Sequence, residues 1–217
     1  MSTILSNRVQ KIKPSATLAV SDKAKQLKAQ GVQIVSMGSG EPDFDTPVNI
    51  QKAATQAIGA GETRYTAVDG TPQLKKAICE KFKRENGLDY SINEVMVSSG
   101  GKQVFYNLCQ AILSKGDEVI IPAPYWVSYP DIAILADATP VFIEAGLEQE
   151  FKITPEQLES SINSNTKLFV LNSPSNPTGA VYTKSEIKSL GAVLERHPHV
   201  NVISDDIYEH IRWKDDE

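Results

Sequence analysis

The residues best suited to chemistry stand in four short segments, each placed directly after an apolar run. These segments are residues 98–102, 122–126, 172–179 and 205–208. The first contains Gly100-Gly101-Lys102 ahead of a helical pattern, where backbone N–H groups can bind phosphate. The second contains Trp126, whose ring offers a flat surface to an aromatic ligand. Phosphate binding beside an aromatic surface is the chemistry that this combination would support.

Each segment also has a purely structural interpretation. A Gly-Gly pair often forms a tight turn, a tryptophan most often packs in a core, and Asn-Pro marks turns. Asp205 could simply cap the residues that follow it. Two nucleotide-binding motifs are absent. Met96 and Gln103 stand where a P-loop needs glycine and Ser or Thr, and no third glycine completes the dinucleotide motif begun at Gly38 and Gly40.

The elements that must position these segments alternate between strands and helices. Strands are predicted at residues 95–98, 118–121, 140–143, 167–171 and 200–204. Helices are predicted to begin near residues 46, 71, 102, 127, 154 and 183, the last two with capping boxes. This alternation predicts an α/β fold with a mostly parallel sheet and helices on both faces. In such sheets, ligands bind at the carboxyl ends of the strands, which is where the four segments fall.

The first 45 residues depart from this alternation. They contain one predicted helix over residues 16–30, closed by Gly31, and a short predicted strand over residues 32–36. We expect residues 1–45 to form an N-terminal arm and the start of a small domain, and residues 46–217 to form a large domain.

Composition excludes several classes of protein. The 217 residues carry a formal net charge of −5, which disfavours nucleic-acid binding, and they include no apolar run long enough to cross a membrane. The N-terminus shows no secretory pattern, and Cys79 and Cys109 do not form a CxxC pair. We therefore expect a cytoplasmic protein with reduced cysteines and no metal site.

Six stretches of the sequence resemble the class I and II aminotransferases of PLP fold type I, within the aspartate aminotransferase family. In order, they are residues 40–44, 64–65, 100–103, 124–129, 172–179 and 204–210. The Gly-Gly-Lys loop is similar to that of the prokaryotic-type enzymes. The resemblance implies the large domain of that fold, with an N-terminal arm and part of a small domain. It also implies transamination of an amino acid, aspartate or glutamate, with a 2-oxo acid.

The same resemblance implies pyridoxal 5'-phosphate (PLP) as cofactor and gives roles to individual residues. Asp205 would face the pyridine nitrogen, whereas Asp206 occupies a position that varies in the family. Tyr65 would reach the phosphate from a neighbouring subunit, which implies a homodimer. The cofactor-binding residues would be Tyr65, Gly100, Gly101, Lys102, Trp126, Asn176, Asp205 and Tyr208. The substrate-binding residues would be Gly40, Lys102, Trp126 and Asn176.

In this family the Schiff-base lysine and the arginine that binds the substrate α-carboxylate come after the Asp-x-x-Tyr loop. No residue up to Glu217 matches either of them; Lys184 and Lys188 fall on a predicted surface helix, and Lys167 opens a buried strand. We therefore expect the chain to be about the first half of an enzyme, with no catalytic residue of its own, and to be inactive alone.

Two other functions stay open at this point. A lyase or another PLP enzyme of the same fold would share the ring-binding loops. A non-catalytic remnant or regulatory module would account for the missing lysine, although the presence of Trp126, Asn176, Asp205 and Tyr208 together argues against long decay. A downstream Ser-Lys and a later arginine in the same reading frame would favour the enzyme.

Overall fold

The computed structural model describes residues 4–14, 16–38, 40–42 and 44–211. These residues divide into two compact units. One unit is Pro14–Ser98, and the other combines Met1–Lys13 with Ser99–Glu217. The domain boundary expected at residue 45 stays a prediction.

Helices alternate with strands only in the second half of the described chain. The α-helices are α1 (Asn7–Gln10), α2 (Ala16–Ala29), α3 (Val48–Gly59), α4 (Pro72–Lys81), α5 (Gly101–Ile112), α6 (Ser128–Leu135), α7 (Pro155–Ser161) and α8 (Lys184–Leu194). A π-helical turn, Phe82–Asn86, continues α4, and two short 3-10 helices are Ile92–Glu94 and Leu147–Gln149. The strands are β1 (Glu118–Ala123), β2 (Thr139–Glu144), β3 (Thr166–Asn172) and β4 (Asn201–Asp205). In the part of the chain that the structure describes, no helix has the length and apolarity needed to cross a membrane.

The sheet has the order β2-β1-β3-β4, and every neighbouring pair is parallel. Its register places Ile120 of β1 opposite Phe169 of β3, and Phe169 opposite Val202 of β4. The predicted α/β class with a mostly parallel sheet is thereby confirmed. Because all strands point the same way, their carboxyl ends meet at one edge.

Two predicted strands are wrong. Residues 95–98 form no strand, although Val95 is extended at φ −115° and ψ 130°. Val97 N–H donates to the carbonyl oxygen of Asp69 at 3.0 Å, but one such bond does not make a ladder. Residues 32–36 likewise form no strand, and Val32 N–H instead closes the end of α2 by donating to Leu27. An apolar run becomes a strand only where another strand lies beside it.

Most predicted helix starts are confirmed. Both capping boxes form, the first between Thr154 and Gln157 and the second between Thr183 and Glu186. The start predicted near residue 46 is displaced, because Pro47 has an extended ψ of 138° and serves as the N-cap itself. Helix α3 therefore begins one residue later than the Thr-Pro pattern predicts.

The core of the sheet-bearing unit consists of two apolar clusters, one on each face of the sheet. Ile121 contributes to the first cluster with residues of α5 and α6, and Ile120 contributes to the second with residues of α7 and α8. Neighbouring residues of a strand point to opposite faces, which explains why these two isoleucines separate. Helices on both faces hold the strand ends, and the loops that follow them, in fixed positions.

Cys109 belongs to the first cluster and is completely buried. Burial raises the pKa of its thiol to about 12, so the thiol stays protonated and unreactive at neutral pH. Both Cys79 and Cys109 are free thiols, as their spacing predicts.

Two glycines of the Pro14–Ser98 unit provide a matched test of local packing. Gly61→Ala is expected to cost about 1–2 kcal/mol, because φ there is +79° and no atom lies within 4 Å of the added Cβ. Gly70→Ala should cost about 1–3 kcal/mol more, because φ is +105° and the new Cβ would lie 2.7 Å from Val97 Cγ2. Chemical denaturation measures both costs, and equal losses in the two variants would contradict this packing.

Candidate functional site

The carboxyl ends of β3 and β4 bring two of the predicted loops into contact. Asn172 ends β3 and Asp205 ends β4, and the two residues are paired in the register of the sheet. The loop of residues 173–179 continues from β3, and a turn containing Tyr208 continues from β4. The predicted meeting of these segments at one sheet edge is confirmed.

Both carboxylate oxygens of Asp205 accept hydrogen bonds. The Tyr129 hydroxyl donates to Oδ2 at 2.6 Å, and the backbone N–H of Ile207 donates to Oδ1 at 3.3 Å. Tyr129 lies near the start of α6, is almost completely buried, and packs edge-on against Phe105. The carboxylate is therefore held in one orientation by a buried phenol and a backbone amide.

The Tyr129 phenol stays a donor at all ordinary pH values. Burial raises the pKa of this phenol, and the hydrogen bond to the Asp205 carboxylate raises it further. The phenol therefore supplies the hydrogen of this bond, and Oδ2 of Asp205 accepts it.

The asparagine at the end of β3 joins the two loops through their backbones. The Asn172 side-chain amide donates through Nδ2 to the carbonyl oxygen of Asp205 at 2.8 Å. Its Oδ1 accepts the backbone N–H of Asn176 at 2.9 Å. The Asn176 side chain in turn donates through Nδ2 to the Tyr208 hydroxyl at 3.4 Å. These contacts bring Asn176, Asp205 and Tyr208 together as the sequence predicts.

Asp206 differs from its neighbour in its surroundings. It is exposed, and its Oδ1 accepts a hydrogen bond from the Ser204 hydroxyl at 2.8 Å. Of the two adjacent carboxylates, only Asp205 is tied to the network formed by Tyr129 and Asn172.

The Gly-Gly-Lys segment begins α5, and the space around its two glycines is open. Gly100 is the N-cap, with φ 88° and ψ 161°, and Gly101 is the first helical residue. Apart from their chain neighbours and the backbone of α5 itself, no atom of the described residues lies within 4 Å of the Cβ position of either glycine. The first backbone N–H groups of a helix have no partner within the helix, and the helix dipole makes this end positive. The start of α5 can therefore accept an anion such as a phosphate.

Trp126 connects the Gly-Gly-Lys segment with the carboxylate. The Nζ atom of Lys102 lies 5.2 Å from the centre of the Trp126 ring, within the range of a cation–π contact. Trp126 is half-buried and meets the Tyr129 ring edge-on at 5.2 Å between centroids. A helix start that is open to an anion, an aromatic ring and a fixed carboxylate thus belong to one continuous group of residues.

Two predicted site residues belong to the other unit. Gly40 and Tyr65 lie within Pro14–Ser98. Tyr65 is fully exposed, and apart from the chain neighbours of Gly40, no atom in the described part of the chain lies within 4 Å of a Cβ built there. Their predicted contacts with substrate and cofactor stay predictions.

Sequence reasoning did not assign roles to Tyr129 and Asn172. Tyr129 follows Trp126 by three residues, which is one helical turn, and Asn172 is the first polar residue after an apolar strand. These two positions are the signals in the sequence that could have identified Tyr129 and Asn172 as site residues. Neither pattern indicates a partner that lies far away in the sequence.

The chain is similar in sequence to one protein family and to individual relatives within it. The sequence profile of the family "Aminotransferase class I and II" matches residues 32–216. The aspartate/prephenate aminotransferase of Cereibacter sphaeroides is 59% identical over 211 residues, covering 97% of this chain and 53% of that protein. The chain spans about half the length of the curated relatives that it matches.

Two solved structures share the fold. The aspartate aminotransferase from Rhizobium meliloti has a TM-score of 0.95 and 47% identity, with coverage of 99% of this chain and 54% of that chain. The aspartate aminotransferase from Thermus thermophilus with maleate has a TM-score of 0.93 and 46% identity, with coverage of 98% and 56%. These similarities confirm the predicted fold class, that of the aspartate aminotransferases of PLP fold type I.

Proposed function

The chain belongs to the class I and II aminotransferases, and on that premise we propose that the protein exchanges an amino group between an amino acid and a 2-oxo acid, with PLP as cofactor. The observation that carries this proposal is the Asp205 carboxylate, fixed at the end of a parallel strand by Tyr129 and Ile207. Strand ends in such sheets are where ligands bind, and a fixed charge there acts without reorganisation.

The residues of this unit fit PLP in their chemistry. PLP supplies an electron sink that takes up the electron pair left when an amino acid loses its α-proton. Asp205 would hold the proton of the pyridine nitrogen, and Asn176 and Tyr208 would hydrogen-bond the phenolic oxygen. Trp126 would stack on the ring. The open start of α5 at Gly100 would bind the phosphate.

We propose aspartate and glutamate as the preferred amino donors. Their distal carboxylate needs a cation in the site, because an unpaired charge shielded from water is costly. Lys102 meets this need, since its ammonium group stands over the Trp126 ring that would face the cofactor. The names of the relatives support this choice, and prephenate, which one of those names adds, is also a 2-oxo acid with a second carboxylate.

Lys102→Ala is therefore expected to discriminate between substrates. The value of kcat/KM for aspartate should fall about 10–100-fold, because a hydrogen bond between two charged groups is worth about 1.5–3 kcal/mol. The value for alanine or phenylalanine should change little. Steady-state kinetics with each donor measures the difference.

Lys188→Ala is the matched control for this prediction, because Lys188 is an exposed lysine of α8 in the same unit. It should leave both values unchanged. If Lys102→Ala weakened acidic and apolar donors equally, the lysine would serve the phosphate, and the preference for aspartate would be wrong.

We further propose that the full-length enzyme is a homodimer in which Tyr65 reaches the phosphate of the neighbouring site. The support is the family resemblance of the segment around Tyr65 and the full exposure of its side chain. Equilibrium sedimentation of the full-length protein tests this assembly, and a monomer that carries full activity would contradict it.

We also propose that residues 1–217 alone do not catalyse transamination. No lysine among them matches the one that binds PLP covalently in the family, and Lys184 and Lys188 are exposed on α8. Covalent catalysis would then lack both its anchor and a proton carrier. Turnover of aspartate and 2-oxoglutarate by the purified 217-residue polypeptide would contradict this proposal.

A further inference from the structure

The side chain of Asn172 hydrogen-bonds to the backbones of two residues, Asp205 and Asn176, whose side chains would meet the cofactor. We propose that Asn172 is a positioning residue that fixes the Asp205 carboxylate relative to the Asn176 amide, so that both can hold the same cofactor ring. This inference rests on the proposed function, because it concerns the placement of groups that would bind PLP.

The contacts of Asn172 act on backbone atoms at the end of the sheet. Its Nδ2 donates to the carbonyl oxygen of Asp205 at 2.8 Å, and its Oδ1 accepts the N–H of Asn176 at 2.9 Å. Beyond the last ladder pair, Asn172 with Asp205, the two chains separate into loops. Backbone groups at this point need partners, and one side-chain amide supplies both.

The same two loops are joined a second time, through the side chain of Asn176 instead of its backbone. The Asn176 side chain donates to the Tyr208 hydroxyl at 3.4 Å, and Tyr208 follows Asp205 in the turn after β4. Hydrogen bonds therefore connect Asp205 to Asn172, Asn172 to Asn176 and Asn176 to Tyr208, and the backbone from Asp205 to Tyr208 completes the ring. In such a closed network, each hydrogen bond restrains the others.

Loss of this link should affect the cofactor more than the fold. Asn172 is half-buried and belongs to neither apolar cluster, so its removal leaves the core intact. The carboxylate keeps its bond to Tyr129, whereas the loop with Asn176 becomes free to move away from it. A displacement of about 1 Å at a reacting centre can cost on the order of a hundredfold in rate.

The structure offers a matched control on the same two strands. Asn201 begins β4, and its Nδ2 donates to the carbonyl oxygen of Lys167 in β3 at 3.1 Å. This side chain also links β3 with β4, but at the amino ends of the strands, away from the candidate site. A purely structural role for Asn172 predicts that Asn172→Ala and Asn201→Ala behave alike.

The test uses the full-length protein loaded with PLP and compares Asn172→Ala, Asn172→Asp and Asn201→Ala. Asn172→Asp keeps the shape and the acceptor for the Asn176 N–H but loses the donor to Asp205. Three quantities are measured: the dissociation constant of PLP, the pH at which the absorbance of bound PLP titrates, and the free energy of unfolding.

Both Asn172 variants are expected to raise the dissociation constant of PLP at least tenfold. Asn172→Ala should also lower the pH at which the pyridine nitrogen loses its proton, because a ring that follows the displaced Asn176 no longer lies against the Asp205 carboxylate. Asn201→Ala should lower the unfolding free energy about as much as the Asn172 variants do. It should change neither the dissociation constant of PLP nor the pH at which the absorbance of bound PLP titrates. Identical PLP behaviour of the Asn172 and Asn201 variants would overturn the inference. A wild-type protein that fails to bind PLP would instead overturn the proposed function.

Discussion

Asp205→Asn is expected to lower turnover by about a hundredfold to a thousandfold while the protein stays folded. The amide has the shape of the carboxylate; its one oxygen can still accept the Ile207 N–H, and its NH2 group can donate to the Tyr129 hydroxyl, which also accepts hydrogen bonds. What is lost is the negative charge that would keep the pyridine nitrogen of PLP protonated. The measurement is kcat with aspartate and 2-oxoglutarate, together with the PLP content of the variant.

Asp206→Asn is the control for this prediction. Its carboxylate is exposed, and within the described residues its hydrogen-bond partner is the Ser204 hydroxyl alone. We expect nearly unchanged turnover in that variant. Normal activity in a folded, PLP-loaded Asp205→Asn protein would refute the role of Asp205, and equal losses in the two variants would point to a general effect of charge.

Gly100→Ala is expected to weaken PLP binding about 10–100-fold. At φ 88° and ψ 161°, Gly100 occupies a region that residues with a Cβ essentially never adopt, at a cost of about 1–3 kcal/mol. The strain would be relieved by a shift of the first turn of α5, whose backbone N–H groups would bind the phosphate. Turnover at saturating PLP should fall much less than affinity does.

Gly191→Ala separates this effect from the general consequence of adding a methyl group. Gly191 lies inside α8, and apart from its chain neighbours and the backbone of its own helix, no atom of the described residues lies within 4 Å of its Cβ position. Alanine there should raise the unfolding free energy by up to about 1 kcal/mol and leave PLP binding unchanged. An unaltered dissociation constant in Gly100→Ala would mean that the phosphate is held somewhere else.

Local rules predicted the elements that depend on neighbouring residues. The capping box at Thr154 is written in four consecutive residues, so its helix start could be found without knowledge of the fold. The run at residues 95–98 shows where such rules fail, because its apolar residues predict a strand but pairing depends on a distant partner. Residues 118–121 satisfied the same pattern and did find partners in β2 and β3.

Some residues of the candidate site could likewise be predicted from the sequence, and others could not. Asp205, Asn176 and Tyr208 were predicted because their motifs resemble a family, and the structure brings them together. Tyr129 could not be predicted, because its partner Asp205 is 76 positions away in the sequence. Nothing local marks Asn172 as a link either, since its hydrogen bond to Asp205 spans 33 positions. Contacts of this kind arise from the order of strands in the sheet.

The most direct test of the proposed function is a half-reaction. The full-length protein is loaded with PLP, freed of 2-oxo acids and mixed with L-aspartate. We predict the formation of one oxaloacetate for each bound PLP, and then continued formation of glutamate and oxaloacetate once 2-oxoglutarate is added. Release of carbon dioxide or ammonia without glutamate, or no oxaloacetate from a PLP-loaded protein, would contradict the assignment as an aspartate aminotransferase.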